Sequence, residues 1–181
     1  LGGFSATQAT ALVPVAISAI SPVAIKGLVI SSFDQTDVAA LISDQAPNFT
    51  TTQLASLTTD SILGGLTADV IANIKPATFK GILTANIDGI GYTTAHAANT
   101  AAINAITTAQ VAALATDQLE AFSPKQVAAL SSEVRSWATN VKGYITVSNS
   151  TDTTAGGIET STTLAAPTSA STITAGKVAV T

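Results

Sequence analysis

The chain has 181 residues, a length that suits one domain or one domain with an appendage. Its net charge is −4 and only seven residues are basic, which excludes the clustered cationic surface that a nucleic-acid backbone demands. It has no cysteine, hence no disulfide framework and no thiolate metal site, and charged residues make up only 10% of it. Ala, Thr and Ser fill the gap, and such a weakly repulsive surface suits packing against copies of itself or decoration with sugar. The absence of methionine, including an initiator, leads us to expect a processed or truncated N-terminus and a life outside the cell.

The first apolar stretch, Leu12 to Ile30, has nearly the length of a transmembrane helix. It holds Pro14, Pro22, Lys26 and two serines, so no membrane span is expected. These residues fit a repeat of eight instead. Phe4, Leu12, Ile20 and Leu28 are spaced by eight. After a shorter step, Phe33, Leu41, Phe49 and Leu57 continue the period. A one-residue insertion near Gly64-Gly65 leads to Leu66, Ile74, Ile82, Ile90, Ala98 and Ile106, and then to Leu114, Phe122 and Leu130. A second apolar residue stands five further on, as at Val111, Leu119 and Val127. Six of the seven glutamines fall four after the large apolar residue: Gln8, Gln45, Gln53, Gln110, Gln118 and Gln126.

An unbroken helix turns about 100° per residue, so eight residues overshoot two turns by about 80° and an apolar stripe of that period spirals out of any core. The chain must therefore break in every octad. The break is written as a helix cap. Thr50 with Gln53, Thr107 with Gln110 and Ser123 with Gln126 predict capping boxes, and Asp34 with Asp37 predicts a carboxylate version. Ser21-Pro22 and Ser123-Pro124 place proline at the first helical position. Val111 with Leu114, and Val127 with Leu130, share a helix face, and the Ala-Ala between them is expected to let neighbouring turns approach closely. Helices this short are unstable alone, so stacking must hold them.

The octads around Ile106 to Leu130 resemble the short-helix repeats of large secreted surface proteins, with units like Leu-Thr-x-x-Gln-Val-x-Ala, and more distantly the mesothelin and stereocilin superhelical group. The resemblance implies a scaffold or adhesive role and brings no catalytic residue with it.

Toward the C-terminus, Val134 and Trp137 slip out of the octad register, and Trp137 reads as the cap on the end of the repeat. Asn140 and Gly143 suggest a helix stop. Residues 141–181 form a Thr/Ser-rich, β-prone tail, with strand-like runs at 144–147, 158–164 and 172–180. Three fates are open to it: a small β appendage, an O-glycosylated stalk, or a strand added to a neighbouring copy, with Ile173, Val178 and Val180 docking there.

Candidate chemistry is sparse. His96, the only histidine, aligns with the glutamine position of a neighbouring unit and reads as a polar first-turn residue. Asp34 and Asp37 lack an Asp-x-Asp-x-Asp-Gly loop, and their cap role already explains them. Gly64-Gly65 and Gly89-Ile-Gly91 read as turns that absorb irregularity in the repeat, not as phosphate loops. Trp137, Tyr92 and Tyr144 could stack on sugars, but packing is the simpler role. Sequons occur at Asn48 and Asn149, the second in a predicted loop and the better glycosylation candidate.

The expected fold is therefore mainly α: a solenoid of short capped helices over residues 1–140, followed by a small β-rich segment over 141–181. No enzyme is expected, because no acid, base and nucleophile set stands at a helpful spacing. No cofactor or metal is expected either. The expected function is that of a structural, self-associating extracellular or cell-surface protein, a filament or surface-layer subunit. Its expected partners are copies of itself, with glycans as a further class. The alternative is an adhesion module of a larger surface protein that binds a protein or glycan.

Overall fold

The computed structural model describes residues 7, 12–57, 63–91, 99–140, 145–147 and 157–159. Over these residues the chain is mainly helical, in pieces of three to nine residues. The α-helices are α1 (Pro14–Ser18), α2 (Gln35–Ala39), α3 (Thr51–Ser56), α4 (Ala68–Asn73), α5 (Pro76–Phe79), α6 (Thr100–Asn104), α7 (Thr108–Ala113), α8 (Thr116–Glu120), α9 (Pro124–Ala129) and α10 (Ser132–Asn140). Between them lie tighter 3-10 turns: η1 (Pro22–Gly27), η2 (Ile30–Ser32), η3 (Ala46–Asn48) and η4 (Thr84–Gly89).

The break falls where the octad places it. At the large apolar residue the backbone leaves the helix for an extended conformation, with φ/ψ of −87/145 at Leu28, −61/150 at Phe49, −69/150 at Leu114 and −57/149 at Leu130. That residue's N–H still bonds to the carbonyl three before it, as in Leu28 to Ile25, Leu57 to Leu54, Ile74 to Ile71 and Leu114 to Val111. The next residue opens a new helix as its N-cap. All four predicted capping boxes form: Asp34 with Asp37, Thr50 with Gln53, Thr107 with Gln110 and Ser123 with Gln126. Proline stands at the first position of η1, α5 and α9, where its missing N–H costs no helical bond.

Helices pack on one another at intervals set by the octad. α6 meets α9 and α7 meets α10, and in each pair the first residues, Thr100 and Pro124, or Thr108 and Ser132, lie three octads apart. α3 meets α5, and α1 meets α2. In these two pairs the interval is longer by one residue, across the Gly64-Gly65 region, or shorter by three, across the step from Leu28 to Phe33. Where residues 92–98 intervene, the interval is four octads: α4 to α6, α5 to α7, and η4 to α8.

Two continuous columns result. One runs η1, η3, α4, α6, α9 and a second runs η2, α3, α5, α7, α10; beside them α1 packs on α2 and η4 on α8. One apolar core runs between them, from Ile17 to Ala138. It takes the large apolar residue of each octad together with the residue five further on, such as Val111, Leu119 and Val127.

The paired alanines behave differently from the expectation. Ala112 and Ala128 are exposed, and Ala113 and Ala129 are only half-buried. The close approach falls at Gly81, where a Cβ would stand 2.7 Å from the Thr51 carbonyl oxygen and 2.8 Å from its Cα. Gly91 serves the irregular stretch as expected. Its φ is +76, a left-handed conformation that glycine adopts without a Cβ penalty, and a Cβ there would meet Ile103 Cγ1 at 2.5 Å.

After α10 come two short strands, β1 (Ile145–Val147) and β2 (Gly157–Glu159), paired antiparallel with Thr146 opposite Ile158. β1 lies against α9 and α10, and β2 against α8 and α9.

Candidate functional site

The polar chemistry inside this protein is a set of side chains at the fourth position of the octad. Among the described residues the buried polar ones are Asp37, Gln45, Gln53, Thr78, Asn86, Gln110, Gln118 and Gln126, and all of them hold that position. Each glutamine there links two helices. Its Oε1 accepts the backbone N–H three residues before it, which is the N-cap in every case but Ile42: Ile42 and Thr50 at 3.0 Å, Thr107 at 2.8 Å, and Ala115 and Ser123 at 2.9 Å. Its Nε2 reaches across to the end of an earlier helix. Gln45 donates to Ile17 O (2.8 Å) and Ile20 O (2.9 Å), and Gln53 to Ile25 O (2.8 Å) and Leu28 O (2.9 Å). Gln110 donates to Ile71 O (2.6 Å) and Ile74 O (2.8 Å). Gln118 donates to Lys80 O and Ile82 O, and Gln126 to Ile87 O, Asp88 O and Ile90 O.

The acceptors are the last carbonyls of short helices, groups that no intrahelical N–H can satisfy. The carbonyls of Ile17, Ile25, Ile71 and Ile87 already take one bond from the N–H three residues on, and the glutamine occupies their second lone pair. In Gln53, Gln110, Gln118 and Gln126 one amide thus closes the start of its own helix and the end of an earlier one. No buried side-chain nitrogen or oxygen among the described residues lacks a partner.

Capping alone does not explain the glutamines. Ile42 and Ala115 have no hydroxyl to form the other half of a box, yet Gln45 and Gln118 stand opposite them and make the full cross-helix pair. The octad spacing of the glutamines was visible in the sequence, but their second partners lie 25 to 39 residues away and have no local signal. Arg135 was also missed. Its Nη1 donates to Ala128 O and to Leu130 O (2.9 Å), positions equivalent to the Lys80 and Ile82 carbonyls that Gln118 takes. It therefore closes the end of α9 from within the same chain.

The other sequence candidates fall as follows. Asp34 and Asp37 cap α2 reciprocally, Asp37 N–H to Asp34 Oδ1 at 2.9 Å and Asp34 N–H to Asp37 Oδ2 at 3.1 Å. Asn48 is half-buried at the end of η3, and the Thr50 hydroxyl of its sequon accepts the Gln53 N–H at 3.1 Å. Trp137 is half-buried in α10 and packs against the core. Asn149, Ile173, Val178, Val180, His96, Tyr92, Tyr144 and Gln8 lie outside the described residues. Among the described residues no group of three His, Cys, Asp or Glu could hold a metal ion, and no helix is long and apolar enough to cross a membrane.

A core assembled from one short capped unit used over and over, with a glutamine amide joining helices at five of the described units, defines a helical repeat protein. Residues 97–124 match the ALTTAQ repeat family. Within that span Ala105-Ile-Thr-Thr-Ala-Gln110 differs from the six letters of the family's name by one residue. No curated protein and no solved structure matches the chain.

Proposed function

We propose that the octads wind into a solenoid of three octads per turn, that a β-rich tail follows it, and that the whole is a structural, self-associating extracellular protein, a subunit of a filament or surface layer. The observation that carries the reading is the use of the buried polar side chains. All those described join one short helix to another or cap a helix start. A surface with few charges supports close packing between copies. In this reading the outer face of the helices contributes shape, the tail supplies the strand of Ile173, Val178 and Val180 to a neighbour, and Asn149 carries a glycan where the source glycosylates.

Sedimentation velocity and negative-stain microscopy over a rising concentration series near neutral pH test it. Filaments, sheets or a growing oligomer are expected, and a monomer at the highest concentration overturns the proposal. Deleting residues 172–181 should abolish assembly if the tail strand joins copies, and unchanged assembly removes that part.

A further inference from the structure

We infer that the stack contains one built-in weak joint, between the rung of residues 33–57 and the rung of residues 63–91, and that the N-terminal block opens there before the rest of the chain unfolds. This does not depend on self-association. It follows from which side chain stands at the fourth octad position on each level.

Between residues 12–32 and 33–57 the ladder has two glutamines, Gln45 and Gln53, each with two Nε2 bonds of 2.8 and 2.9 Å. Between residues 63–91 and 99–130 it has three, Gln110, Gln118 and Gln126, with bonds from 2.6 to 3.1 Å. At the level between these two, the fourth positions are Val70, Thr78 and Asn86. Valine donates nothing. Thr78 Oγ1 reaches Phe49 O at 3.4 Å and Asn86 Nδ2 reaches Leu57 O at 3.4 Å, one bond each. Both are long for their type, because hydroxyl donors normally sit within about 3.0 Å and amide donors within about 3.2 Å. The threonine and asparagine side chains are shorter than glutamine and fall short of the carbonyls three residues earlier, those of Ala46 and Leu54. Apart from these two bonds, the described residues meet across the joint by apolar burial and by the bare backbone contact of Gly81 with Thr51. Local opening concentrates where the bonds that cross a boundary are fewest and weakest.

The test is native-state hydrogen exchange of the full chain, read by mass spectrometry in sub-denaturing urea, with the double variant Thr78→Gln/Asn86→Gln alongside. In the unaltered protein, amides of residues 17–57 are expected to exchange through a partial opening while those of residues 71–130 stay protected. The double variant gives this level two glutamines, as many as stand between residues 12–32 and 33–57. The opening constant of the N-terminal block is expected to fall at least about tenfold, since one added hydrogen bond corresponds to about fivefold. Gly81→Ala, which forces a Cβ against the Thr51 backbone, is expected to raise that constant and leave residues 99–130 unchanged. The inference is overturned if both blocks exchange as one unit in the unaltered protein. It is also overturned if a separate N-terminal opening persists unchanged in both variants, which would mark simple fraying from the chain end.

Discussion

A glutamine side chain offers one carbonyl oxygen and two amide hydrogens on a stem long enough to span the gap between stacked helices. Gln110 uses all three, on Thr107 N–H, Ile71 O and Ile74 O, in a site with no solvent exposure. Replacing it with methionine keeps the volume and removes the bonds. The expected loss is about 3 kcal/mol at about 1 kcal/mol per bond, measured by urea unfolding. Gln110→Glu is expected to be worse at neutral pH, because a carboxylate would face two carbonyl oxygens in a dry site. Burial raises that carboxyl's folded-state pKa above its unfolded value, so the variant gains stability as pH falls through the raised value and loses it as pH rises. The gap between the Glu and Met variants should therefore narrow from pH 7 to pH 4. A gap that stays constant across this range would contradict the ladder's donor role.

Each octad must start and stop within eight residues, so its helix has too few internal bonds to stand alone. Caps and turns then carry unusual weight. Thr107→Ala and Ser123→Ala remove the hydroxyl that accepts the Gln110 and Gln126 N–H groups, and each should cost about 1 kcal/mol in thermal or urea unfolding. Gly91→Ala should cost more than about 1 kcal/mol, because the left-handed φ and the 2.5 Å approach to Ile103 act together. These local devices were legible in the sequence, since a cap residue and its partner are three apart and read without knowledge of the fold. The alanine pairs were misjudged for a related reason. Small residues permit close approach wherever they face a neighbour, and the octad phase turns Ala112 and Ala128 outward.

Across the described residues, short helices pack in pairs at sequence intervals set by the octad. The interval between packed helices is three octads, give or take one to three residues where the register shifts, and it becomes four across residues 92–98. The ends of that stretch meet, with Asn99 N–H donating to Gly91 O at 2.5 Å. Deleting residues 91–98 removes one octad and makes Ile90 the large apolar residue that precedes the Asn99 cap. The helices downstream keep their columns, and circular dichroism should show a cooperative melt with helical content retained. Deleting residues 106–113 instead shifts every later helix to a different column and separates Gln118 and Gln126 from their acceptors. That variant should fail to fold cooperatively.

The eight-residue period, the helix breaks, the caps and the identity of the core residues follow from the sequence alone, because each depends on contacts within one octad and on which side chains avoid water. The interval between packed helices, the cross-helix partners of the glutamines, the role of Arg135 and the close approach at Gly81 were decided only by the tertiary structure. They depend on how far the chain turns at each break. That angle accumulates over many residues and leaves no mark in any single one.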